Sequence, residues 1–116
     1  TDMDDTVAKY KILQSAKLYR NLAIAVPEEP QNRVVAASAA DELLNISGVD
    51  ASIVVAPDGN GGSFASARSI GELNVQLIME KVGGGGNRSA AAAQFAGTDV
   101  NTAVKRIYAA IDDYLG

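Results

Sequence analysis

The chain has 116 residues and a mass of 12.0 kDa, one domain's length and enough to bury a core without crosslinks. It carries 10 basic and 14 acidic residues, for a net charge of -4, and it has neither His nor Cys. These counts exclude a basic stripe for duplex DNA, a zinc finger, an iron–sulfur site, a thiol nucleophile, a serine–histidine triad and a disulfide framework.

The acidic start, Thr1 to Asp5, is no signal peptide, and its first residue is not Met. The simplest expectation is a piece of a longer protein. Asp4 to about Tyr19 reads as a helix led by acids, which suits the positive end of a helix dipole. Its apolar stripe is broad and untidy, as in a connector to a neighbouring domain. Asn21 to Val26 reads as a strand, ended by Pro27 and the polar turn through Pro30. From Asn32 to Ile46, Ala36, Ala39, Ala40, Leu43 and Ile46 recur at helical spacing, and Gly48 stops the helix.

Ala51 to Ala56 is rich in β-branched residues and reads as a second strand. The turn from Pro57 to Gly62 leads to a third, Ser63 to Arg68, so the two predict a hairpin. Asn74 to Val82 reads as a short helix. Gly83, Gly84, Gly85 and Gly86 follow in one run, Arg88 to Gln94, rich in Ala, reads as a helical turn or two, and Gln94 to Ala96 continues as a short strand. The last helix, capped by Thr98 or Asp99, has Val100, Ala103, Val104, Ile107, Ile111 and Leu115 on one face. The apolar runs fall far below the roughly 18 residues that span a bilayer. The order of elements predicts one α/β (α+β) domain with a central mixed β-sheet flanked by helices.

Two stretches can carry phosphate chemistry. Four glycines bare their backbone N–H groups, and a helix start after them would make an anion cradle. Arg88 and Ser89 add donors; the bland alternative is a hinge. Arg68, flanked by Ser66 and Ser69, is a planar fork suited to phosphate. The acidic pairs (Asp4/Asp5, Glu28/Glu29, Asp41/Glu42, Asp112/Asp113) are adjacent in sequence, so they diverge on a helix and make no two-carboxylate site. No catalytic residue and no metal ligand is assigned in this chain.

Ser66-Ala67-Arg68-Ser69, Gly71, Asn74-Val75, Ile78-Met79-Glu80 and the four glycines before the Ala-rich stretch, taken together, resemble the DHH-associated domain. The form they resemble stands at the C-terminus of bacterial cyclic di-AMP phosphodiesterases. Ala40 to Leu44 and Gly48 to Ser52 fit the same pattern. The resemblance implies that residues 1–20 connect to an upstream DHH domain and that 21–116 form the substrate-binding domain. It implies two manganese ions in that DHH domain and no cofactor in this chain. It implies contacts to the nucleotide and its phosphates from Ser66, Arg68, Ser69, Gly83, Gly84, Gly85, Gly86, Asn87 and Arg88.

The family's glycine motif ends in His; this chain has Asn87, whose amide hydrogen-bonds but cannot become cationic. The implied partner is cyclic di-AMP or a short nucleotide. Alternatives are a phosphodiesterase for short RNA and a non-catalytic nucleotide sensor. The implied setting is a cytoplasmic domain of a membrane-anchored parent, without direct membrane or duplex-DNA contact and with room for a homodimer.

Overall fold

The computed structural model describes residues 2–116. Six strands form one mixed sheet in the order β1-β2-β3-β4-β6-β5: β1 Lys17–Tyr19, β2 Leu22–Ala25, β3 Ala51–Pro57, β4 Ser63–Ser69, β5 Gly85–Gly86 and β6 Ala90–Phe95. Among the described residues only β2 and β3 run parallel, joined by the crossover helix α2, Arg33–Leu43. The β3–β4 hairpin forms as its sequence predicts. Helix α1, Met3–Gln14, lies with α2 on one face; α3, Val75–Glu80, and α4, Val100–Leu115, cover the other.

Strands β2, β3 and β4 bury alternate residues toward opposite helix pairs. Ile53, Val55, Ala65, Ala67, Ala91, Ala93 and Phe95 pack with α3 and α4, where Ile78, Met79, Ile107 and Ile111 are fully enclosed. Val54, Ala56 and Phe64 pack beneath Val35, Ala36, Ala39, Ala40 and Leu43 of α2. Asp99 caps α4 through the Thr102 N–H at 2.7 Å, one of the two caps expected.

Two expected elements differ. The first helix stops at Gln14, not Tyr19, because the exposed edge of β2 recruits Lys17–Tyr19 as a strand. Arg20-Asn21 make the tight turn between them. Residues 88–94, expected to be helical, instead form most of β6. Alanine favours helix only weakly, and the long edge of β4 leaves a row of backbone groups to be paired. The strand period is visible afterwards: Ala91, Ala93 and Phe95 are buried, while Ala92 and Gln94 are exposed.

Candidate functional site

The glycine run is assembled from two structural demands. Gly83, at φ +87°, closes α3: its N–H donates to Glu80 O at 3.2 Å, and the Gly84 N–H donates to Met79 O at 2.8 Å. The chain then enters β5, where Gly85 and Gly86 pair with Ala92 and Ala91. A Cβ on Gly84 would lie 2.2 Å from Ala92 O, and one on Gly86 would lie 2.5 Å from Ala90 O. Gly85 differs, because a Cβ there would meet nothing within 4 Å. No helix start follows the run, so the dipole half of the expected anion cradle is absent. What remains is bare edge backbone. Asn87 N–H donates to Ala90 O at 2.8 Å, so the antiparallel alternation turns the peptide groups of Gly86 to the free edge.

The Ser66-Ala67-Arg68-Ser69 segment splits across the sheet, as period-2 geometry requires. Ser66 and Arg68 share the α2 face with Phe64. Ser69 lies on the opposite face, where its hydroxyl donates to Arg88 O at 2.8 Å. Arg88 turns the same way: Nη2 donates to Glu72 O at 3.2 Å and Gly71 O at 3.4 Å. Asn87 builds the turn before β6, where its Oδ1 accepts from Ser89 N–H, Ser89 Oγ–H and Ala90 N–H at 2.9–3.2 Å. The expected nine residues therefore fall into three groups, of which Gly83 and Gly84, ending α3 and packed against β6, are the first. Ser69, Asn87 and Arg88 knit the β4–α3 loop to the β5–β6 turn. Arg68 and Gly85 face the open side, Ser66 lies on the same face but is buried at 6% exposure, and Gly86 offers its edge.

The open side is a trough. Helix α2 covers β2, β3 and the near side of β4, and it leaves β6 and β5 bare on that face. Strand register sets one row across the floor: Val54, Ser66, Ala92, Gly85. Ser66 to Gly85 spans two strand spacings, about 10 Å. The next row runs Ser52, Arg68, Ala90. Arg33, Ala37 and Asp41 recur at i, i+4 and i+8 and form the α2 wall. Arg68 Nε lies 3.1 Å from Asp41 Oδ1, and Nη1 donates to Ala67 O at 2.9 Å. The Arg68 side chain is 22% exposed and that of Asp41 is 64% exposed, so the guanidinium is oriented from one side and still reaches solvent.

At the far end, Arg33 Nη2 donates to Gln94 Oε1, and Gln94 Nε2 donates to Asp58 Oδ2 at 2.9 Å. The Asn60 N–H, with the Gly62 N–H and Gln94 adding to it, holds the Asp58 carboxyl below its ordinary value, and Arg33 acts in the same sense. Sequence reasoning missed Ala92, Asp41, Arg33 and Gln94. The signals were the period-2 alternation in Ala90–Phe95 and the four-residue spacing along α2.

The sequence model of the DHHA1 domain matches residues 20–115. The cyclic-di-AMP phosphodiesterase GdpP of Bacillus subtilis is 43% identical over 117 residues, covering 97% of this chain and 18% of that protein. The cyclic-di-AMP phosphodiesterase PdeA of Listeria monocytogenes is 41% identical over 118 residues, covering 97% of this chain and 18% of its own. The chain thus spans about a fifth of the length of these curated relatives. Among solved structures, an exopolyphosphatase-related protein from Bacteroides fragilis superposes with a TM-score of 0.84 at 23% identity, covering 98% of this chain and 36% of that one. The pGpG-specific phosphodiesterase PggH from Vibrio cholerae gives 0.62 at 22% identity, covering 94% and 39%. At those identities the structures establish the shared fold.

Proposed function

The chain belongs to the DHHA1 domain family, and on that premise we propose that it grips the substrate of a cyclic-di-AMP phosphodiesterase whose catalytic half is a preceding DHH domain. One observation carries the reading. Gly85 is the glycine of the run that the fold does not demand, and it lies across Ala92 from Ser66, beside the row of Arg68. A strip of small side chains there lets a ligand approach the sheet as far as the free Gly86 backbone at its edge, while Arg68 supplies a fork for phosphate. The names of GdpP and PdeA support cyclic di-AMP as the substrate class.

The division of labour follows from the side chains. The chain has no His or Cys, and among the described residues no three Asp or Glu side chains cluster. Its own residues therefore do not fit a metal site. The two manganese ions belong, in this proposal, to the DHH domain, where they would supply activation of water and polarisation of the phosphodiester. The work of this chain is to bind and orient the substrate. Among the described residues no helix is long and apolar enough to cross a membrane. In this reading the domain is cytoplasmic, and other segments of the parent provide the anchor.

Calorimetric titration with cyclic di-AMP tests the reading. The chain is expected to bind, and Arg68→Ala is expected to weaken binding about tenfold or more. With manganese added, the isolated chain is expected to leave cyclic di-AMP intact; turnover would overturn the division of labour. Asn87 favours a second reading, a nucleotide sensor without catalysis. Assay of the parent with and without Asn87→His separates the two. A gain in turnover supports the enzyme, and two inactive proteins that still bind support the sensor.

A further inference from the structure

We propose that Arg33 is the base-stacking residue of the trough, holding a nucleobase at the end opposite Arg68. The inference rests on the reading of the trough as a nucleotide site. The Arg33 guanidinium lies over the Phe64 ring, with Cζ 4.8 Å from the centroid. Phe64 is buried and Arg33 is exposed, so the plane is supported beneath and open above. The bond to Gln94 fixes its rotation. A rigid, backed guanidinium is a stacking platform for any base face. At the N-terminal end of α2, next to Arg33, is an open hollow of about 620 Å³, lined by Arg33, Phe64, Asp58 and Asn60 together with Asn32 and Asp5. Asn60 and Asp58 offer an amide and a carboxylate on its rim, the mixed donors and acceptors that a base edge needs.

Charge decides between base and phosphate at this end. Asp58 accepts from Asn60 N–H at 2.7 Å, Gln94 Nε2 at 2.9 Å and Gly62 N–H at 3.1 Å. Its carboxylate is locked beside Arg33, and a phosphate placed there would meet a fixed negative charge. Asp41, beside Arg68, is largely exposed and free to swing aside. The phosphate therefore belongs at Arg68 and the uncharged base at Arg33. Phe64 and Arg68 are four residues apart on one strand, about 13 Å. That distance suits one nucleotide laid along the strand.

The test uses nitrogen-15 and carbon-13 NMR of the chain with adenosine, AMP and ribose 5-phosphate. Adenosine and AMP are expected to shift the Arg33 Nε–H and Phe64 ring signals, and ribose 5-phosphate only those near Arg68 and Gly86. Arg33→Lys keeps the charge and removes the plane. It is expected to weaken AMP about fivefold or more and leave ribose 5-phosphate unchanged. Unmoved Arg33 signals under saturating adenosine, or equal losses for both phosphate ligands, would overturn the inference. If Arg68→Ala leaves AMP affinity intact, the phosphate reading fails, while the adenosine shifts still decide the role of Arg33. Amide signals outside the trough report whether each variant is folded.

Discussion

Gly84 and Gly85 are neighbours under opposite constraints. An Ala at 84 would push its methyl to 2.2 Å from Ala92 O and 2.7 Å from the Ala93 Cβ, both held by the sheet. Gly84→Ala is expected to cost about 3 kcal/mol in urea unfolding. Gly85→Ala, with open space at its Cβ, is expected to keep the fold within about 1 kcal/mol and to lose nucleotide affinity by calorimetry. Equal stability losses at both positions would remove the case for Gly85 as a ligand-facing residue. Asn87 gathers three hydrogen bonds in its turn, so Asn87→Ala is expected to cost about 1 kcal/mol. Asp58 predicts a pH effect of definite sign. Its carboxyl is held below the ordinary 3.8 chiefly by the Asn60 N–H, so the native state favours the charged form. Its stabilisation is complete above the unfolded value and is lost as pH falls through the lowered native one. Asp58→Asn should therefore lose less stability than the parent chain between about pH 5 and pH 2, read from urea midpoints at each pH.

At the scale of elements, β6 and α4 show how far periodicity reaches. Helix α4 was legible because 16 residues repeat one apolar stripe and Asp99 marks the start. Asp99→Ala removes the acceptor for the Thr102 N–H and is expected to lower the thermal midpoint, an effect that shrinks at acid pH as the carboxyl protonates. Strand β6 was not legible, since four alanines carry no hydrophobic contrast and read as readily at period 3.6 as at period 2. The pairing edge of β4, set by residues nearly thirty positions earlier, settled it. Strand β1 is a similar case. Its turn places Arg20 at φ +55°, unusual for a residue with a Cβ, while Arg20 Nη1 lies 3.3 Å from Asp112 Oδ1 on α4. Tertiary anchoring holds a conformation that local preference would not choose.

For the whole molecule, the two faces of the sheet are covered unequally. Helices α3 and α4 enclose the larger core cluster, whereas α1 buries only Ile12 completely and exposes Met3, Val7 and Tyr10. Amide exchange should therefore be fastest in α1 and slowest in β3, which is paired on both sides and covered on both faces, with β4, also paired on both sides, next. Equal protection of α1 and β3 would contradict this order. The uneven cover also creates the trough, because α2 is too narrow to cover the sheet as far as β5. A net charge of -4 is compatible with an anionic ligand there, since a few oriented donors suffice for a single nucleotide.

The chain's own order of residues determined much of this. Apolar spacing fixed α2, α3 and α4, β-branched content and turn residues fixed the β3–β4 hairpin, and the ordered Ser-Ala-Arg-Ser and glycine segments marked the family. Those are local signals, carried by neighbours within a few residues. Sheet register alone decided which residues share a face. It put Ser66, Arg68 and Gly85 on one face and sent Ser69 to the other, while the packing of α2 on that face brought Arg33 over Phe64. A linear sequence cannot express that choice, because a one-residue slip in pairing would turn every side chain of a strand to the opposite face.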